Sequence, residues 1–433
     1  MTRRRLWPLR TLLACAVLVA AAAAGGTIAA AKELRIAYLS EDPAQEANMA
    51  ILEKWAWAKG ITLVKYPIGA DRFVEVVAAT LSEGDNQFDI IWHDDDRGRQ
   101  WLEWLEPVDD VPGMETVARK PLDAFIDGDG KATAVPMAHT VGVFVYRTDL
   151  VSEEEVPRSL EDLVAVSKRL QGEGKVKWGY VGGMTLNQTW FTQWWSMWSN
   201  NCDIFRPIYE RDNEVLEKNG WQPAIAEPCH QEVMEFWWDA LHADQISPKA
   251  MTSYGRDDAN TIFMAGDAAF TVVDSTDIVR FNDPEVSKVA GKLGLARFPK
   301  GPRRNTPVAW NEIWGWAIPK AAPAERKALA KELLGAMLTD VDDQVEQWRV
   351  SGSPPPNQKA WDRIAEADPL FEQLKHAVLD LKPPMHAVYY VPNWPAVHEA
   401  YSEVSIKALT GQREDIPEVL KQGVAQIRNA VVN

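Results

Sequence analysis

The feature that most constrains this chain is the stretch Ala134 to Leu150, AVPMAHTVGVFVYRTDL. A short apolar run ends at Pro136, and alternation begins after it. Val141, Val143 and Val145 fall on one face, and Gly142, Phe144 and Tyr146 on the other. That period of two predicts a strand, closed by the turn Arg147-Thr148-Asp149. The segments on either side of it each read as an α/β unit. The strand is therefore expected to carry the chain from one lobe to another, with a binding cleft beside it.

Upstream, strands are expected at Leu34 to Leu39, Ile61 to Tyr66 and Phe88 to Trp92. Helices are expected between them, from Pro43 to Lys59 and from Asp71 to Leu81. Asp42 suits an N-cap, and Gly60 and Gly84 suit helix stops. Ala47, Ala50, Ile51, Trp55 and Ala58 read as the apolar face of the first helix. A β-α-β-α-β alternation predicts a parallel sheet. Ligands of such sheets sit beyond the carboxyl ends of the strands. Those ends are Ser40 to Asp42, Tyr66-Pro67 and His93 to Arg97. Asp127 to Gly130 reads as a hairpin turn leading into the central stretch.

Downstream, Ser159 to Asp162 starts a helix with a capping-box pattern, and Gly172 and Gly174 end it. Lys177 to Val181 reads as a strand. Asn187 to Asn200 reads as one tryptophan-rich helix, with Trp190, Trp194 and Trp198 at i, i+4 and i+8. Phe191 and Trp195 lie on the adjoining stripe. Such stripes are core by default, but five large rings need wide cover, which leaves one or two to edge a cleft. Helices are expected at 227–243 and 257–265, and strands at 268–274, 293–299 and 310–319. Pro323 to Val431 reads as almost all helix, broken by Pro354 to Pro356 and by Pro383-Pro384.

The N-terminus is separate. Four arginines, an apolar run from Leu12 to Ala24 and the small residues Ala29 to Ala31 make a secretory signal peptide over residues 1–31. Its removal takes the formal charge from −16 to −20. A chain this acidic argues against nucleic acid or an anionic membrane as main partner. Cys202 and Cys229 then remain. In an exported chain they suggest one disulfide, with two buried free thiols as the alternative. The run His93 to Asp96 does not make a metal site, because adjacent residues on one loop rarely converge on one ion. Nothing in the chain calls for a cofactor.

Five segments in order resemble the extracellular solute-binding proteins of ABC importers, and within them the sugar-binding group that includes maltose-binding proteins. They are Phe88 to Trp92 with Asp96-Arg97, the central stretch Ala134 to Val151, Phe263 to Phe270, Gly315 to Lys320, and Pro392 to Pro395 with the helix to Gly411. The resemblance spans nearly the whole mature chain. It implies an α/β, two-lobed periplasmic-binding-protein fold with hinge strands and a helical C-terminal region. Lobe 1 is expected to comprise 32–138 with about 276–325, and lobe 2 to comprise 139–275 with about 326–433.

A sugar shows hydroxyls at its rim and C–H faces above and below. Its site needs charged or amide groups for the first and aromatic rings for the second. Position by position, the resemblance implies ligand contacts from Glu41 and Asp42, and from the pair Asp96 and Arg97. It implies the same for Thr140, for Trp190 and Phe191, and for the position of Asp274, where a further stacking Trp is expected but absent. Trp310, Asn311 and Glu312 line the cleft in many relatives, and Tyr401 falls where a stacking Trp stands. Departures matter. Thr140 replaces a ligand-binding Glu, and Glu41-Asp42 replaces an Asp-Lys pair, which argues against maltodextrin. The implied function is capture of a small neutral solute, a mono- or oligosaccharide first, for ABC permease subunits. The protein would be a periplasmic monomer and no enzyme. The alternatives are a quaternary-ammonium or polyol ligand on the same fold, or a secreted carbohydrate-active enzyme.

Overall fold

The computed structural model describes residues 32–40, 43–94, 98–117, 120–185, 188–206, 215, 218–303, 311–379, 391 and 393–432. The expected signal peptide lies outside them. Eight strands make one sheet, in the order β2-β1-β3-β8-β4-β6-β5, with β7 also on β4. β1 (Lys32–Leu39) pairs in parallel with β2 (Ile61–Ile68) and β3 (Ile90–Asp94). The helices α1 (Pro43–Ala58) and α2 (Ala70–Ser82) connect them, as the alternation predicts.

β4 (Ala134–Arg147) is buried along its whole length. Residues from Ala134 to Val141 pair with β8 (Asn311–Ala317), which also pairs with β3. Residues from Gly142 to Tyr146 pair with β6 (Ala268–Asp274), and Phe144 to Arg147 with β7 (Leu293–Ala296). One strand is thus built into both halves of the molecule. The register slips between Pro136 and Ala138, where a residue without an N–H cannot continue the ladder.

The alternation of β4 separates its side chains into different cores. Val141, Val143 and Val145 join Phe263, Phe281 and Trp361. Phe144 and Tyr146 join the tryptophan-rich cluster on the opposite face. Ala134, Val135, Met137 and Ala138 join Ile36 and Trp316 in a third, in the first lobe.

The second half keeps closely to the expected elements. α3 (Leu160–Gly172) has Ser159 accepting from the Asp162 amide, while the Asp162 carboxylate accepts from the Ser159 amide. It is followed by β5 (Trp178–Val181). α4 (Gln193–Ser199), α5 (Pro228–His242) and α6 (Arg256–Met264) come next. α7 (Ala324–Thr339) and α8 (Val341–Ser351) precede the Pro354 to Pro356 break. α9 (Lys359–Ala367), α10 (Pro369–Leu379), α11 (Trp394–Thr410) and α12 (Ile416–Val432) complete the chain. Pro383 and Pro384 lie outside the described residues. Cys202 and Cys229 are joined, with their Cα atoms 5.8 Å apart.

Two expectations need correction. Ile51 is buried and Trp55 half-buried as expected, but Ala50 and Ala58 are exposed, and the buried face also takes in Gln45, Asn48, Met49, Leu52 and Ala56. Two polar residues point inward, so hydrophobicity alone misplaces the face. The tryptophan segment is not one helix. A 3-10 turn, Thr189–Phe191, is separated from α4 by Thr192 at φ −147° and ψ −67°. α7 packs with the β1–β3 core through Leu333, Leu334, Met337 and Leu338, whereas Ile278, Phe281, Leu293 and Leu295 pack in the core that holds Val141, Val143 and Val145.

Candidate functional site

The crossing of β4 between its two sets of partners gathers polar groups on one face. Thr140 stands directly opposite Glu312, and its hydroxyl donates to Glu312 Oε2 at 3.3 Å. Gly142 stands opposite Asp274. Residues two apart on a strand share a face, as do residues directly opposite on paired strands. Thr140, Glu312 and Asp274 therefore look the same way, toward the side covered by the 189–199 segment. The Ser275 amide donates to the Val141 carbonyl at 2.8 Å, which ties the loop after β6 to the crossing point.

Arg256, the first residue of α6, holds this loop. Its Nε donates to Asp277 Oδ2 at 2.9 Å and its Nη2 to Thr276 Oγ1 at 2.8 Å. Its Nη1 lies 3.3 Å from Asp274 Oδ2. The guanidinium also sits over the Phe191 ring, 5.6 Å from the centroid. Asn260 donates to the other oxygen of Asp277 at 2.9 Å. Burial pushes the Asp277 carboxyl above its ordinary pKa, and Arg256 pulls it back.

Phe191 is held from behind. Tyr180 donates its hydroxyl to the Phe191 carbonyl, and Trp195 Nε1 donates to the same oxygen at 3.3 Å. Gly182 permits that approach: a Cβ there would lie 2.6 Å from the Phe191 carbonyl oxygen. Trp190 packs on Trp194 with centroids 4.7 Å apart and on His398 at 5.7 Å. His398 stacks on Trp394, and its Nε2 is 2.7 Å from Thr189 Oγ1. Burial holds the His398 imidazole down to about 4.

The other expected site residues divide into two groups. Glu41, Asp42, Asp96, Arg97 and Trp310 lie outside the described residues, and Asn311 is described only as the backbone of β8 opposite Val141. Tyr401 is 1% exposed, edge-on to Trp194, with its hydroxyl 3.2 Å from His230 Nε2. That places it one ring layer behind Trp190. Sequence reasoning missed Arg256. One signal was available: a cation in the first turn of a helix opposes the macrodipole, so tertiary partners had to be holding it.

The assembled groups are hydroxyl, carboxylate and guanidinium beside aromatic rings. They suit a ligand that offers both hydroxyls and apolar faces. Among the described residues, no group of three His, Cys, Asp or Glu is placed to hold a metal ion, and no helix is long and apolar enough to cross a membrane.

Comparison with known proteins agrees with this architecture. A family model described as bacterial extracellular solute-binding protein matches residues 50–373. A "Probable ABC transporter-binding protein" of Deinococcus radiodurans is 25% identical over 301 residues, 65% of this chain and 67% of its own length. Maltose-bound MalE3 of T. maritima superposes with a TM-score of 0.75 at 20% identity, covering 91% of this chain and 99% of that one. An ABC transporter solute-binding protein of Agrobacterium radiobacter in complex with ribitol gives 0.73 at 17% identity, covering 92% and 98%. One from Agrobacterium vitis with bound D-mannitol gives 0.70 at 17% identity, again covering 92% and 98%.

Proposed function

This chain belongs to the bacterial extracellular solute-binding proteins, and from that premise we propose that it captures a small neutral sugar or polyol between its lobes for delivery to an ABC importer. The observation that carries this reading is the β4 crossing, which turns Thr140, Glu312 and Asp274 to one side, facing Phe191 and Trp190. Carboxylates make strong hydrogen bonds to sugar hydroxyls, and ring surface buries C–H faces. Three proteins of similar fold were solved with maltose, ribitol and D-mannitol, so both sugars and linear polyols belong in the first screen.

In this reading Glu41, Asp42, Asp96, Arg97, Trp310 and Asn311 complete the site from the first lobe. Tyr401 supports the ring layer without touching ligand. Lobe 1 comprises 32–138 with 311–339, and lobe 2 most of the remainder. β4 and β8 form the hinge, and ligand shifts its open–closed equilibrium by binding the closed form better. The protein acts as a monomer in the periplasm after loss of residues 1–31, docks on permease subunits, and performs no chemistry on its ligand.

A thermal-shift screen followed by calorimetry tests this. At least one neutral sugar or polyol should raise Tm, because a ligand that binds only the folded state stabilises it by mass action. Release of a hydrolysed product, or no stabilisation across a broad neutral panel, overturns the reading.

A further inference from the structure

We propose that Arg256 sets the charge selectivity of this site, fitting it to uncharged hydroxyl-rich solutes and closing it to organic cations. The inference rests on the reading of the β4 crossing as the solute site and deepens it. An organic cation is bound by an open aromatic face, an available carboxylate, or both. Arg256 occupies both kinds of group here. Its guanidinium lies over Phe191 and bonds Asp277 and Thr276 while pairing with Asp274. The side chain keeps 29% of its exposure, whereas those of Asp274 and Asp277 keep 9% each. The cation is thus the outward member of the cluster, and a second cation approaching Phe191 would meet it first.

The same arrangement disfavours anions. Asp274 and Asp277 already share one guanidinium, and Glu312 adds a third carboxylate at the same crossing, so a sugar acid would add like charge in a low-dielectric setting. A neutral ligand escapes both penalties and still finds Asp274 as an oriented acceptor. Arg256 is by this argument a positioning residue. It acts on ligand through Asp274 and Phe191.

The test uses the full mature chain and compares wild type, Arg256→Gln and Arg256→Lys. The probes are maltose, ribitol and D-mannitol as neutral solutes, choline and D-glucosamine as cations, and D-glucuronate as an anion. Wild type should respond to a neutral probe and to neither cation. Arg256→Gln should lose tenfold or more in affinity for that probe and gain a measurable response to choline or D-glucosamine. Arg256→Lys keeps the charge but not the fork, so it should lose affinity yet still refuse cations. If Arg256→Gln fails to fold, Arg256→Lys and Asp274→Asn decide. Asp274→Asn should weaken the neutral probe and lessen the refusal of D-glucuronate. Unchanged affinity and unchanged selectivity in folded variants overturn the inference and leave the solute-binding reading intact. So does a wild type that prefers a cation. A wild type that no neutral probe stabilises breaks the parent reading, and this one with it.

Discussion

The two lobes that share β4 are built from different material. The first core is mostly aliphatic, with Leu34, Ile36, Ile90, Ile91 and Leu333, and it holds the buried Asp89 between Arg35 and Arg326. The tryptophan-rich core of the second contains seven buried tryptophans among the described residues, against three buried ones in the first. A regular α/β layer is specified by periodicity, and many apolar side chains of similar volume fill it. Rings are less forgiving. They pack edge to face, as Trp194 does with Trp198, Trp394 and Tyr401, and each orientation constrains the next. The second lobe also carries the disulfide and the rings assigned to the proposed site, Phe191 among them.

Mutation should expose that contrast first. Trp194→Ala should cost about 3–5 kcal/mol and broaden the unfolding transition. Leu333→Ala in the first lobe should cost about 2–4 kcal/mol and leave the transition sharp. Denaturant titration followed by tryptophan fluorescence measures both, and equal broadening would erase the distinction. Reducing the Cys202–Cys229 bridge, which spans a sequence separation of 27, should cost roughly 3 kcal/mol. Calorimetry should show that loss in the second lobe's transition, and a thiol assay finding two free groups without reduction would contradict the structure.

Acid should also act on the second lobe. Burial holds His230 to about 3 and His398 to about 4, against about 6.5 when unfolded. The unfolded chain therefore binds more protons between about pH 6.5 and 4. Stability is fully present above that window and is lost as pH falls through it, by on the order of 3 kcal/mol for His398. His398→Gln should flatten the Tm profile there relative to wild type, and parallel profiles would refute the assignment.

A smaller effect is expected where the lobes meet. Gly352 has φ +66°, and a Cβ there would lie 2.7 Å from the Ser275 carbonyl oxygen. Gly352→Ala should cost about 1–2 kcal/mol and weaken ligand binding, because Ser275 is bonded to Val141 beside Asp274; a folded variant with wild-type Kd would contradict this. The smallest loss belongs to Ser159→Ala, which removes a helix cap far from the ligand. It should cost about 1 kcal/mol and leave Kd unchanged.

Much of this was legible in local pattern. The alternation of Val141, Val143 and Val145 against Phe144 and Tyr146 placed them on opposite faces of one strand, and each face enters its own core. Ser159 with Asp162 announced its helix. The failures share a cause, since each depended on partners distant in sequence. Gln45 and Asn48 turn inward although both are polar. The spacing of Trp190, Trp194 and Trp198 fits a continuous helix and hides the break at Thr192. Arg256 gained its role only when β6 brought Asp274, Thr276 and Asp277 beside it.

The lateness of β8 bears on how the chain comes to be folded. β3 receives its second sheet neighbour only when Trp314 to Ala317 arrive, more than two hundred residues downstream of Ile91. Until then β1, β2 and β3 present an unsatisfied sheet edge, and α7 is absent from their core. Non-local closure of this kind slows folding. The sheet of the first core therefore cannot be completed until β8 is present, whatever else has already folded.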